Sequence, residues 1–408
     1  MKLVYGNAIL NLCSAAAADN SEESLAARDV SLIPPLQVNS AWDGESSQKF
    51  SLIYEDIFRD DILHCPLRER SWVFQEWYLS PRSLILARRQ LWWHCRQNAA
   101  CEALPQEYKD EESMRINRPD LQPEWMKDDM GQLNTEQDWA SAWRSRVEHY
   151  VETRLTEESD RLIAFSGIAQ AFGSSHGIVH EYLAGLWRCH LPITLCWYVA
   201  NSRTSRSSRY KAPSWTWASV DGPFELCVGL GYVAEEDWGK KPCVSVEDVW
   251  LGYSDERHIT GLVKGGAIKL RGHLLGSRKV EMPSRRRLRY FDDDTFDEDI
   301  EGPYMMLDEG DEEGPLVSYL DNINTNNYRK ESTEGALRRT ERLRDARGSV
   351  FFLPIAKGFT VQGIILYQPP HQTGIFHRIG YFVSNRLPNG SYSHNLESDY
   401  PEHTFLIL

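Results

Sequence analysis

The stretch CPLRERSWVFQEWYLSPRSLILARRQLWWHCRQNAAC, residues 65–101, decides how the rest of the chain is read. Pro66 has the fixed φ and missing donor that suit a helix start, and Ser80-Pro81 supplies a stop. Between them Trp72, Phe74, Trp77, Tyr78 and Leu79 load the helix with apolar surface. SLILA, the polar break Arg88-Arg89-Gln90 and LWWHC then read as two short strands joined by a tight turn. A helix that delivers this many aromatics onto a hairpin builds a core. Arg70, Gln75, Glu76 and Arg82 sit among those aromatics, and buried charges need partners. Glu76 lies one turn after Trp72 on the same stripe, so the expectation is a buried ion pair with Arg70 or Arg82 that fixes the helix on the hairpin. The alternative is a carboxylate that binds or hydrolyses a small molecule or nucleotide.

A chain of 408 residues has room for two domains or one large one, and its apolar and charged fractions are ordinary for a globular protein. The formal net charge of -14 argues against a general nucleic-acid binder, because phosphate contacts need concentrated positive surface. Eight cysteines spread over a chain with no signal peptide fit reduced thiols in a cytosolic or nuclear setting better than a disulfide framework, and a cytoplasmic location is expected. The longest apolar run, Leu191 to Ala200, is too short to span a bilayer.

Upstream of the decisive stretch, Leu3, Val4, Ile9, Leu10 and Leu12 read as a strand or short helix with nothing before it to pack on. Residues 31–48 carry Pro34-Pro35 and read as a connector, while Phe50, Ile53, Tyr54, Ile57 and Phe58 recur with helical spacing. Downstream, residues 102–133 are acidic and aperiodic and read as a surface loop. Thr135 and Asp138 form a capping-box pattern ahead of a helix whose face carries Trp139, Trp143, Val147, Tyr150 and Val151. A second helix is expected from Thr156 to a cap at Gly173, and a third from about Ile178 to Arg188. APSWTWASVDGPF alternates into an Asp-Gly-Pro turn and reads as a strand. CVSVEDVW, GAIKLRGHLL, SVFFLPI and TVQGIILYQ read as further strands, so the last half is mostly β. From Phe291 to Gly314 there are twelve carboxylates and no Lys or Arg, and residues 280–347 are expected to be a disordered charged insertion. The expected fold class is α+β: a helix-rich domain over 1–224 followed by a β-rich region over 225–408.

Motifs for common chemistries fail on context. Gly173-Ser174-Ser175-His176-Gly177 matches the G-x-S-x-G nucleophile elbow, but helical periodicity precedes it where a strand is required. His176 and His180 lack the Glu of H-E-x-x-H, and His94, Cys95 and Cys101 fit no zinc spacing. No Gly-rich phosphate loop is present. These residues point to no catalytic motif, no metal site and no cofactor.

PLRERSWVFQEWYLSPRSLIL followed by WWHC resembles the heterokaryon-incompatibility (HET) domain family of filamentous fungi. That family shares a series matched here by Pro66, Leu67, Arg70, Trp72, Gln75, Glu76, Leu79, Ser80 and Arg82, followed by Trp93 and Cys95; Ser71 stands where the family usually has glycine. DRLIAFSGIAQAF, EYLAGLWRCHLP with Gly185, Leu186 and Trp187, and APSWTWASVDGP with Pro213, Ser214, Trp215, Trp217 and Ala218 are similar to blocks downstream in the same family, in the same order. The opening residues resemble the middle of the family's domain, and the expectation is a partial domain impaired by loss of its N-terminal part. The resemblance implies non-self recognition and cell-death signalling through a protein partner, with no nucleic acid and no membrane span; the oligomeric state is left open.

Overall fold

The computed structural model of the protein describes residues 2–17, 31, 33–40, 48–52, 58–95, 98–105, 135–202, 209–221, 224–228, 242–276, 304–307, 349–357, 361–384 and 400–408. The chain divides into two compact units, Met1–Thr135 and Glu136–Leu408.

In the first unit helix α1 (Lys2–Gly6) is followed by β1 (Asn11–Ser14), so the opening apolar residues form a short helix and then a strand. An antiparallel pair, β2 (Leu36–Ser40) and β3 (Gln48–Leu52), stands where a connector and the start of a helix were expected. Residues 53–57 lie outside the described residues. A helical spacing matched over nine positions, 50–58, does not discriminate from a strand whose register is set by its partner, here Val38 opposite Phe50.

Pro66 opens a single 3-10 turn, Pro66–Glu69, rather than the helix itself; Arg70 is extended, and helix α2 (Ser71–Leu79) starts after it. Ser80 closes α2, its hydroxyl donating to the Glu76 carbonyl at 2.6 Å. The expected hairpin follows as β4 (Arg82–Leu86) and β5 (Leu91–Cys95), extended by β6 (Asn98–Cys101). The sheet order is β1-β4-β5-β6, with β1 parallel to β4 and the other neighbours antiparallel. One face of this sheet is buried through Cys13, Ile85, Trp92 and Cys101, which stand opposite one another across the four strands. The N-terminal half is therefore not helix-rich: short strands dominate the described part of its first hundred residues, and β1, β2, β3 and β6 are too brief for their alternation to register in the sequence.

The second unit opens with α3 (Glu136–Val151), which buries Trp143, Val147, Tyr150 and Val151 along one stripe. Helix α4 (Arg161–His176) starts later and ends later than the sequence suggests. Glu158 and Asp160 lie in a 3-10 turn before it, preceded by the extended Glu157, and Gly173 is inside the helix. The stop is Gly177, whose φ of 73° is the left-handed value of a helix C-cap, with the Ile178 N–H donating to the Gly173 carbonyl at 2.8 Å.

The expected third helix over 178–188 is instead a hairpin, β7 (Tyr182–Leu183) and β8 (Leu186–Trp187). Its two central residues, Ala184 (φ 50°) and Gly185 (φ 106°), both have positive φ, the geometry of a two-residue turn that matches strand twist. β9 (Trp197–Ser202) pairs with β10 (Phe224–Val228). Between them the Trp-Thr-Trp segment is a 3-10 turn over Trp217–Ser219 and not a strand, because the Thr216 hydroxyl accepts from the Ala218 N–H at 3.1 Å and caps the turn.

The large sheet is built from β11 (Val244–Tyr253), β12 (Val263–His273), β13 (Leu275–Gly276), β14 (Tyr304–Leu307), β15 (Ser349–Lys357), β16 (Val361–Gln368), β17 (Ile375–Ser384) and β18 (Glu402–Ile407). Its order is β11-β12-β18-β17-β16-β15-β13, with β14 also on β17. Only the β17–β18 pairing is parallel among these. β16 is buried at every position from Val361 to Leu366, as its unbroken apolar run requires. Of the expected insertion over 280–347 only β14 is described; the remainder, like residues 106–134, lies outside the described residues. The α+β class holds, with strands in both units.

Candidate functional site

In the first unit the decisive helix holds an aromatic column. Cys65 is extended, and the 3-10 turn that follows swings Arg68 inward, leaving it 8% exposed. The Arg68 guanidinium lies 4.9 Å from the Phe74 ring centre and 5.9 Å from that of Trp77, a cation–π geometry that offsets part of its desolvation. Trp77 also stacks on His94 at 5.6 Å with an interplanar angle of 26°, and His94 lies 5.8 Å from Phe58 and 6.5 Å, edge to face, from Trp92.

The charges singled out in the sequence sit elsewhere. Arg70 and Arg82 are exposed, so neither is the buried counter-ion expected for Glu76. Glu76 is half-buried and takes a hydrogen bond from the Tyr5 hydroxyl of α1. Burial, then that bond and the Glu76 charge, pushes the Tyr5 phenol up to about 12. Beside it the Cys13 thiol is also pushed up to about 12, chiefly by burial; a hydrogen bond with Ser83 opposes the shift without overcoming it. Cys65 moves in the same direction for the same first reason. These thiols are protonated at neutral pH, the opposite of what a nucleophilic cysteine requires. Gln75 is 1% exposed, and neither end of its amide finds a hydrogen-bond partner among the described residues. Such a group is costly to bury. Pro66, Leu67 and Trp72 are half-buried, Leu79 and Ser80 are buried, and Trp93 and Cys95 are half-buried on the opposite face of the sheet from Trp92 and His94.

A second polar cluster escaped the sequence reading. Asp61, 4% exposed, accepts from Arg89 Nε at 2.8 Å, from the Trp92 indole N–H at 3.2 Å and from the Gln90 amide at 3.5 Å. Arg89 also reaches Asp60 at 3.1 Å, and the Gln90 carbonyl oxygen accepts from the Ala103 N–H at 3.0 Å. The turn between β4 and β5 is thereby tied to residues 60–61 and 103. The available signal was the match between Asp60-Asp61 and the basic Arg88-Arg89-Gln90 break.

In the second unit the remaining family positions form a tryptophan knot. The Gly185 carbonyl accepts from both Trp143 Nε1 and Trp217 Nε1, each at 3.0 Å. Trp143 packs on Phe165, Phe172, Tyr182 and Trp187 with ring centres 5.0 to 6.2 Å apart. Leu186, Trp187, Pro213, Trp215, Trp217 and Ala218 are all buried. Ser214 donates from its N–H to the Leu408 carbonyl at 3.0 Å, bonds the same oxygen through its hydroxyl, and accepts from the Arg378 N–H at 2.9 Å. Arg378, 0% exposed, lies 3.5 Å over the Trp197 ring and donates to the Leu195 and Trp197 carbonyls. Residues on both sides of position 224 thus share one core.

The G-x-S-x-G serine is helical: Ser175 Oγ donates to the Phe172 carbonyl at 2.8 Å. The His176 ring packs edge-on against Trp139 at 4.8 Å, while His180 is 75% exposed beside Glu181 at 3.2 Å. Neither the aromatic column nor the knot presents an activated nucleophile.

The arrangement is that of an aromatic scaffold whose polar groups hold elements together. No curated protein and no solved structure matches the chain. Residues 1–76 match the family model described as Heterokaryon incompatibility protein (HET), a match that takes in α1, β1, the Arg68 turn and α2 as far as Glu76. The chain therefore carries a HET-domain segment over residues 1–76.

Proposed function

We propose that the protein acts in non-self recognition and cell-death signalling of the heterokaryon-incompatibility kind, through a protein partner and in the cytoplasm. The match over residues 1–76 carries this reading. The three downstream blocks support it: Phe165 and Phe172 of the first, Gly185 and Trp187 of the second and Trp217 of the third pack into one aromatic core with Trp143, as pieces of a single inherited unit would. The net charge of -14 suits a protein partner better than a nucleic acid. Among the described residues no helix is long and apolar enough to cross a membrane.

The test is induction of the full chain in a filamentous fungal host, with soluble protein confirmed by blotting and viability scored by a vital dye. Death or growth arrest on induction is expected on this reading, an outcome that would count against the impairment that the resemblance implies. Trp77→Ala, which removes the centre of the aromatic column at a cost of about 3–5 kcal/mol, is expected to abolish that outcome. Unchanged viability with soluble native protein present overturns the reading.

A further inference from the structure

Five large apolar side chains within ten consecutive positions stand in water: Leu3 at 74% exposure, Val4 at 67%, Ile9 at 85%, Leu10 at 40% and Leu12 at 65%. They lie on α1, on β1 and on the link between them. β1 is an edge of the four-stranded sheet, and among the described residues no strand pairs with its outer side. The apolar surface continues across the sheet, half-buried beyond Leu12. Leu12 stands opposite Leu84, Leu84 opposite Trp93, and Trp93 opposite Ala100, and none of the four is buried. Residues directly opposite share a face, so the side of the sheet away from Cys13, Ile85 and Trp92 bears an apolar row. An open sheet face is ordinarily polar.

Among the described residues the edge is also unprotected. Exposed edges are usually blunted by charge, proline or a covering side chain. The outer strand of the large sheet shows that device within this same chain: on β11 the Val249 carbonyl accepts from Arg188 at 3.1 Å and the Val249 N–H donates to Asp248 at 2.8 Å. Among the described residues β1, with sequence NLCS, carries nothing comparable, and residues 3–17 contain no Asp, Glu, Lys, Arg or His.

From the bare edge, the apolar row and the absence of charge we infer that this face is the contact between two copies of the chain, β1 pairing with β1 of the second copy about a two-fold axis. A two-fold contact uses the same patch on both copies, which requires a surface that does not repel itself. In a molecule with a net charge of -14 this neutral strip meets that condition. Antiparallel pairing of the two edges makes one continuous sheet and satisfies the outward backbone groups of β1. The five side chains expose on the order of 500 Å2 per copy, so their complete burial in both copies would reach about 1,000 Å2, the lower bound for a specific dimer. The inference stands apart from the incompatibility reading, since it concerns assembly and not outcome in the cell.

Sedimentation equilibrium of the full chain tests it. The native protein is expected at twice the 47.0 kDa of one chain. Ile9→Lys and Leu12→Lys, made singly and together, change side chains that stand in water, so far-UV circular dichroism should be unchanged. The double variant is expected to sediment as one chain, its dimer dissociation constant raised about 100-fold or more. A native chain that sediments at 47.0 kDa up to about 100 μM overturns the inference and leaves the patch to a different partner. A folded double variant that keeps the doubled mass overturns it as well.

Discussion

Gly185 shows how much one backbone position can hold. Its φ of 106° lies where an L side chain is strained, and a Cβ there would stand 2.7 Å from Trp217 Nε1, the atom that donates to the Gly185 carbonyl. Gly185→Ala is expected to cost about 2–4 kcal/mol, combining backbone strain with displacement of the indole. Gly177 gives the control: it also has positive φ, at 73°, but nothing lies within 4 Å of its added Cβ, so Gly177→Ala should cost only about 1–2 kcal/mol. Urea midpoints of the two variants separate strain from clash, and equal losses would refute the role given to the Trp217 contact. Position 185 was legible as part of a family block, but its reason was not. A glycine in LAGLW looks the same in a helix as in a turn until the indoles that crowd it are placed. The same holds for Glu76, whose partner is Tyr5, 71 positions earlier in the chain, while Arg70 and Arg82 face water. Arg68 was passed over for the opposite reason: nothing in PLRER distinguishes the arginine that turns inward.

Elements were legible where one sequence signal sufficed. The hairpin of β4 and β5, the stripe of α3 and the long apolar strands β11, β12, β15 and β16 follow from pattern and breakers alone. β18 did not, because EHTFLI has the composition of any chain terminus, and its pairing joins residues about 135 positions apart. Yet β18 is the strand through which β12 meets β17. Phe405, 3% exposed, packs edge to face on Phe376 at 5.3 Å, and the Leu406 N–H donates to the Gly374 carbonyl at 2.9 Å. Phe405→Ala is expected to destabilise the second unit by about 3–5 kcal/mol. The exposed neighbour substitution Thr404→Ala should stay within about 0.5 kcal/mol. Hydrogen exchange adds a sharper readout: amides of β12 and β17 should lose protection together in the Phe405 variant. Loss confined to β18 would mean that the large sheet closes without it.

At the scale of the molecule, buried ionisable groups set the pH range in which the fold is stable. In the second unit His190 is 4% exposed, and neither ring nitrogen has a hydrogen-bond partner among the described residues. Burial first, then the charge on His176, lowers its pKa from 6.5 to about 4. The unfolded chain therefore binds a proton between those values that the folded one refuses, so stability falls as pH drops from 6.5 towards 4. The size of that loss is about 2–3 kcal/mol. Asp255, held below the usual carboxylate range by Arg257, acts only below its ordinary value of 3.8 and does not overlap this window. On the alkaline side the sign reverses. Burial pushes the Cys196 thiol from 9.0 up to about 12, so the unfolded chain gives up a proton that the folded one keeps, and stability falls as pH rises past 9. Cys13 and Tyr5 impose the same limit on the first unit. The urea midpoint of the native protein should thus be highest between about pH 6.5 and 9 and decline on both sides. His190→Phe replaces the unpaired ring with one that has no proton to bind, so it should flatten the decline between pH 6.5 and 4 and leave the alkaline limb unchanged. An acid limb that persists in that variant would assign the loss to carboxylates elsewhere in the chain.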